Sequence, residues 1–183
     1  MSIVTLRPVE EADLDAIARF SREPDALGEF EWNGFTDPRP LRRRWEEDGL
    51  LADDSSFLAI VTPDGSFAGC VNWRVVVGSP TRGAPRRASS IVPLEIGIAL
   101  LPEHRGQGHG SAAQAALVDY LFATTAVHRI QATTAAGNLA EQKALEKIGF
   151  RREGVLRALG YRAGCWVDGV IYSVLRDDDR PSP

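Results

Sequence analysis

The sequence predicts a single α/β domain of the α+β kind: a mixed, mostly antiparallel sheet of about seven strands flanked by about four helices. Three observations lead there. Short strand-like apolar runs and helix-period segments follow one another in the order β-α-α-β-β-β-α-β-α-β-β. Two hairpins, over 56–77 and 152–176, supply antiparallel pairs. A strand at 94–100 passes through a glycine-rich loop directly into an alanine-rich helix. With 183 residues, 44% of them hydrophobic and 25% charged, the chain can bury a sizeable core. Residues 1–176 are read as the domain and 177–183 as a polar tail.

The elements follow in order. "TLRPV" opens as a short strand, and "EEADLDAIARFSREP" places Leu14, Ile17, Ala18 and Phe20 at helical spacing before Pro24 ends the run. "DALGEFEWNGFTDPRP" reads as a loop rich in aromatics, glycine and acids, and "LRRRWEEDGL" as a second short helix. "SFLAIVT", the turn "PDGS" and "FAGCVNWRVVV" make the first hairpin. "GSPTRGAPRRASSIVP" has no acids and reads as a long mobile loop between strands. "LEIGIAL" is the next strand and "HRIQATT" the one after the alanine-rich helix. "NLAEQKALEKIG" carries marks at both ends: Asn138 as cap, Glu141 three residues on as in a capping box, and Gly149 for the left-handed stop. "REGVLRALGYR" and "CWVDGVIYSVLR" close the chain as a hairpin.

Composition narrows the function classes. The net charge is −4, but residues 1–55 hold seven arginines against fourteen acids, leaving the remainder net basic. An acidic first third suits a cationic partner and a basic remainder an anionic one. Neither a nucleic-acid-binding stripe nor a membrane-length apolar run is present in the sequence. "MSIVTLRPVEE" lacks the basic start and apolar core of a signal peptide, so a cytoplasmic protein is expected. Cys70 and Cys165 sit in apolar strand patterns and read as small core residues in a reducing compartment. His104, His109 and His128 show no metal-ligand spacing; they read as solvated or as minor loop contacts, and no metal is expected.

The stretch "LLPEHRGQGHGSAAQAALVDYLF" carries the chemistry. The first N–H groups of a helix lack partners and carry partial positive charge, so a strand, a bare loop and a helix start suggest an anion site. Gly106, Gly108 and Gly110 remove side chains that would block phosphate, Ser111 adds a hydroxyl and Arg105 a cation. The ATP-binding P-loop pattern is absent. The dinucleotide pattern is met by Gly108, Gly110 and Ala113, but Thr133 and Thr134 stand where its acidic residue belongs.

These residues resemble the GNAT N-acetyltransferases, whose coenzyme A loop has Gln or Arg, two residues, Gly, one residue, then Gly or Ala. Arg105 through Gly110 match it, and the flanking runs "LEIGIALLPEHRGQGHGSAA" and "HRIQATTAAGNLAEQKALEKIGFRREGVLR" resemble the branch of the ribosomal-protein N-terminal (alanine/serine) acetyltransferases. The resemblance implies a sheet splayed in the middle, with acetyl-CoA as co-substrate between the strands at 94–100 and 128–134. Backbone groups of Ile98, Ala99 and Leu100 would meet the pantetheine arm. Arg105, Gly106, Gln107, Gly108, His109, Gly110 and Ser111 would hold the pyrophosphate, and Asn138 would touch the arm or simply cap its helix.

Acyl transfer from a thioester to an amine needs a neutral nucleophile, a stabilised oxyanion and a leaving thiolate. An α-amine, with pKa near 8, is roughly a tenth to a third neutral around pH 7 to 7.5, whereas a lysine amine is neutral to about one part in a thousand. The resemblance assigns Glu95, in "EIG", as general base, directly or through one water. The family's hydroxyl positions for protonating the thiolate hold Glu141 and Leu145 here, neither of them a hydroxyl. On the acceptor side, Glu29, Glu31, Trp32 and Asp37 could form an acidic, aromatic mouth for a cation. Asp168 matches a family aspartate near the cleft. The expected activity is transfer of an acetyl group from acetyl-CoA to a primary amine, either a protein N-terminus or a small molecule. A non-catalytic acyl-CoA sensor on the same fold is the alternative, and a nicotinamide-dependent enzyme a third reading resting on the glycine fragment. The closing hairpin leaves a homodimer possible.

Overall fold

Alternating side chains along each strand divide the apolar residues between two faces of one sheet, and helices cover both. The computed structural model describes residues 3–52, 54–76 and 92–181. Its strands are β1 (Thr5–Pro8), β2 (Ser55–Val61), β3 (Phe67–Val75), β4 (Leu94–Leu100), β5 (Arg129–Ala135), β6 (Arg151–Arg162) and β7 (Cys165–Leu175). The helices are α1 (Leu14–Arg22), α2 (Pro24–Leu27), α3 (Arg39–Asp48), α4 (His109–Thr124) and α5 (Leu139–Lys147). The sheet has seven strands in the order β1-β2-β3-β4-β5-β7-β6, antiparallel throughout except between β4 and β5. The expected mixed, splayed sheet is therefore the one observed.

One face buries Leu58, Ile60, Val71, Ile96, Ile130 and Tyr172 beneath α4 and α5, whose Leu117, Leu121 and Leu145 are fully buried. The other buries Ala59 and Cys70 beneath α1 and Leu50, with Trp45 of α3 packed against them. Trp45 also donates its indole N–H to the Val9 carbonyl at 2.8 Å, tying α3 to the chain after β1. Asp13, almost wholly buried, takes two hydrogen bonds from Arg7 at 2.6 and 3.0 Å and one from the Glu10 N–H at 2.8 Å. A lone carboxylate could not be buried there without that pairing.

Several expectations are corrected. Helix α1 starts at Leu14, after a 3₁₀ turn over Glu11–Asp13, rather than at the acidic run before it. The stretch read wholly as loop contains the one-turn helix α2, for which Pro24 supplies a ready first position. Cys165 is exposed, because β6 and β7 run beyond the helical layer at their turn; only Cys70 is a core thiol, and burial raises its pKa. His109 is buried rather than solvated. The reading of 78–93 as a long loop falls almost entirely outside the described residues. Among the described residues no helix is long and apolar enough to cross a membrane, and no group of three or more His, Cys, Asp or Glu could hold a metal ion.

Candidate active site

The parallel contact between β4 and β5 amounts to two residue pairs, Leu94 with Ile130 and Glu95 with Gln131. Beyond them the strands part, so Ile96–Leu100 pair with β3 alone while β5 continues along β7. β4 thus turns a free backbone edge toward a gap in the middle of the sheet, where unpaired N–H and C=O groups need a partner. A cleft of about 430 Å³ fills the gap; Glu95–Ala99 form one wall and Ala132–Thr134, Asn138 and Glu141 the other. A second cleft of about 450 Å³ adjoins it and shares Glu31, Arg74, Glu95, Thr133 and Thr134.

Past the free edge, β4 turns through a 3₁₀ turn (Pro102–His104) into the glycine loop. Gly106 and Gly108 take φ of +72° and +82°, which β-carbon-bearing residues resist, and Gly108 stands as the N-terminal cap of α4 without any side-chain cap. The first bond of that helix runs from the Ala112 N–H to the Gly108 carbonyl at 3.1 Å. The N–H groups of His109, Gly110 and Ser111 are therefore left at the mouth of a sixteen-residue helix. Gln107 closes the loop by donating to the Glu103 carbonyl at 2.8 Å, and the Ser111 hydroxyl donates to Gly108 at 3.1 Å. Arg105 does not reach out as a free cation. Its guanidinium donates to the carbonyls of Leu100 at 3.0 Å, Asp25 at 3.3 Å and Ala26, clamping α2 against the end of β4.

Glu95 sits at the fork itself. Arg74, opposite it on β3, donates to one carboxylate oxygen at 2.8 Å, and Gln131 on β5 donates to the other at 3.1 Å. Glu141 occupies the far wall, where Gln114, buried on α4, donates to it at 3.3 Å. Burial and the nearby Glu31 carboxylate push Glu141 up to about 7, with the Gln114 hydrogen bond opposing them. Burial likewise raises Glu31, and Arg162 pulls it partly back. Asn138 accepts the Glu141 N–H at 3.2 Å, the first half of the capping box; the Glu141 side chain turns to Gln114 instead of completing the second. Leu145 is fully buried in the core, so that position offers nothing to the cleft.

The acceptor-side residues scatter. Glu31 lines both clefts, but Trp32 lines neither; its ring stacks edge-on against Phe35, 5.2 Å between centroids. Asp37 is bound to Arg39 and Glu29 also lies off both clefts, so the expected four-residue mouth does not form. Asp168 borders the second cleft while accepting the Ala158 N–H at 2.8 Å, which stabilises a β6 bulge where Ala158 has φ +51°. Two cleft cations, Arg74 and Arg162, escaped the sequence reading. The pairing of Arg74 with Glu95 follows from strand register, which no local pattern in the sequence fixes.

A family model described as an acetyltransferase (GNAT) domain matches residues 4–151. The chain belongs to the GNAT acetyltransferase family. It is 37% identical over 84 residues to the probable N-acetyltransferase YjcK of Bacillus subtilis, covering 46% of each chain. The match to the uncharacterized N-acetyltransferase YoaA of that organism also spans 46% of its length, so these matches cover about half of each relative. Similarity to the uncharacterized N-acetyltransferase p20 of Bacillus licheniformis is lower, 26%, but spans 94% of this chain and 93% of p20. Among solved structures, the spermidine N-acetyltransferase of Vibrio cholerae, in complex with CoA and spermine, has the same fold: TM-score 0.78, 20% identity, 96% of this chain and 97% of that one covered. Mycobacterium smegmatis RimJ, in complex with CoA-disulfide, gives a TM-score of 0.72 at 26% identity, covering 94% of this chain and 81% of RimJ.

Proposed function

We propose that this GNAT domain moves the acetyl group of acetyl-CoA to a primary amine by direct attack on the thioester. The observation that carries the reading is the fork: two strands that separate after two pairs and leave Glu95 where a free backbone edge begins. The backbone of Ile98, Ala99 and Leu100 binds the pantetheine arm as an added strand would, and a β4 N–H receives the oxyanion. The N–H groups of His109, Gly110 and Ser111, reached across the bare Gly106 and Gly108, hold the pyrophosphate. Arg105 serves that loop through its clamp on α2, and Asn138 through the cap it gives α5. Glu95, held in place by Arg74 and Gln131, accepts the proton that the amine releases. The CoA-bound structures of similar fold support the coenzyme assignment.

The acceptor is an amine, a peptide N-terminus or a small molecule, that enters by the second cleft. Three carboxylates there, Glu31, Glu95 and Asp168, outnumber Arg74 and Arg162. Pairing of two copies through the closing hairpin belongs to the same reading, since Leu159, Tyr161 and Trp166 are exposed there; light scattering tests it.

The deciding experiment mixes the protein with acetyl-CoA and follows free thiol across a panel of amines and short peptides. Release that depends on one amine class supports the reading. Acetyl-CoA that raises the melting temperature without any thiol release points to a sensor instead. Glu95→Gln is expected to slow turnover with little change in acetyl-CoA affinity, and unchanged turnover from pH 6 to 9 would remove Glu95 as base. Gly108→Asp, which sets a carboxylate among the pyrophosphate-binding N–H groups, is expected to abolish coenzyme binding in a folded protein.

A further inference from the structure

We propose that Glu141 is a catalytic acid: its carboxyl group delivers a proton to the sulfur of coenzyme A as the thioester C–S bond breaks. The inference rests on the reading of the sheet gap as the acetyl-CoA site. Its first support is placement. Glu95 pairs with Arg74 and Gln131, whose alternation along β3 and β5 sets them on the α1 face of the sheet. Glu141 stands at the start of α5, on the opposite face, with Leu145 one turn further along packed into the core beneath α4 and α5. Both carboxyls nevertheless line the same cleft, because the gap between β4 and β5 connects the two faces. A thioester lying in that gap presents its carbonyl carbon to an amine from one side and its sulfur to the other.

The second support is the company Glu141 keeps. Among the described residues no cation pairs with it. From α4 it meets the neutral amide of Gln114, which is almost wholly buried and fixes the carboxyl through one oxygen, leaving the other for the cleft. From the loop after α2 it meets the like-charged Glu31. The remaining ionisable groups of the cleft are Glu95 with its partner Arg74, and the buried Cys70 thiol. A carboxyl in this setting retains its proton near neutrality, at about 7. Thr134 lines the same wall with a buried hydroxyl that has no partner, which makes it the competing donor.

The protons balance. The amine nitrogen bonds to the carbonyl carbon and Glu95 takes its proton; the C–S bond then breaks, its electron pair stays on sulfur, and sulfur takes the Glu141 proton. Amide and free thiol leave. Glu95 returns one proton to solvent, and Glu141 takes one up.

The test compares the wild type, Glu141→Gln and Thr134→Val for acetyl-CoA affinity and for acceptor-saturated turnover from pH 5.5 to 9. Gln keeps an acceptor oxygen for Gln114, and the Asn138 cap uses only the backbone N–H, so the variant folds. General acids contribute up to 10²–10⁴-fold, but a thiol with pKa near 8.5 leaves readily, so kcat is expected to fall about tenfold at pH 6.5. Coenzyme Kd should stay within about twofold of wild type, because the lost group acts when sulfur departs. Wild-type kcat should bend downward above about pH 7 as Glu141 ionises, and Glu141→Gln should lack that bend. A Glu141→Gln enzyme with the wild-type rate and bend overturns the proposal, as does loss of the bend in Thr134→Val alone. A wild type that neither binds nor turns over acetyl-CoA overturns the site reading, and this proposal with it.

Discussion

Glu141 also has a thermodynamic signature that needs no substrate. Its carboxyl ordinarily titrates at 4.5 and is held at about 7 in the folded chain, so across that interval the folded state binds a proton that the unfolded chain has released. Stability then falls as pH rises from about 4.5 to about 7, and the deficit is complete above. At about 1.4 kcal/mol per tenfold in proton affinity, the full deficit is on the order of 3 kcal/mol. The cleft is open to water, and screening lowers that to about 1–2 kcal/mol. Glu141→Gln removes the titrating group but keeps the Gln114 hydrogen bond. The variant should match wild type in urea unfolding at pH 5 and exceed it by about 1–2 kcal/mol at pH 8. For a domain of this size that equals a melting temperature roughly 2–8 °C higher at pH 8. Parallel pH dependences for the two proteins would refute the argument, because they would show that Glu141 ionises alike in folded and unfolded chains.

Three other perturbations are informative. Gly69 has φ +151°, and a β-carbon there would lie 2.1 Å from the Ala99 carbonyl oxygen; Gly69→Ala should force β3 from β4 and cost on the order of 3 kcal/mol, read as a fall in melting temperature of about 10 °C. Glu153 is held down to about 2 by the Arg129 guanidinium, with a further hydrogen bond from Ser173. Its stabilisation is fully present above the ordinary 4.5 and lost as pH falls through about 2, so Glu153→Gln should weaken the protein at pH 7 and much less at pH 2.5, as acid titration followed by circular dichroism would report. Arg105→Ala should loosen α2 and the Glu31 loop, raising the acceptor KM several-fold while coenzyme Kd changes by less than about threefold. A coenzyme Kd weakened tenfold or more would instead place the guanidinium on the pyrophosphate.

Much of the scaffold was legible because its signals are local. Asn138 and Gly149 mark the ends of α5, the turns at 63–66 and 163–164 mark two hairpins, and the glycines at 106 and 108 announce a backbone that side chains would block. What escaped depends on side-chain pairing and tertiary contacts that no local pattern fixes. The apolar surroundings of Cys165 suggested core, yet its hairpin extends past the helices that would have buried it. Trp32 and Asp37 have the chemistry of an acceptor mouth, but Phe35 and Arg39, close neighbours in sequence, already satisfy them. Arg105 matched a motif position whose cation finds carbonyls some 80 residues earlier. Glu141 read as a capping-box partner and a missing hydroxyl, since the burial and the like charge that change its protonation come from α4 and from the loop holding Glu31.

The fork between β4 and β5 has a consequence for how the chain assembles. β1 to β4 are neighbours in sequence and form one antiparallel meander; β5 to β7 form another block, drawn wholly from the last third of the chain. Within each half one tight turn, at 63–66 between β2 and β3 and at 163–164 between β6 and β7, closes a strand pair at low entropic cost. Within the sheet the halves meet at two residue pairs; the α4–α5 face, the Gln131 bond to Glu95 and the Arg162 bond to Asn33 join them elsewhere. The seam is thus the shortest of the six strand pairings in the sheet, although its Leu94 and Ile130 are core residues. The same short pairing that leaves room for a ligand places the sheet's thinnest backbone connection at its centre rather than at either edge.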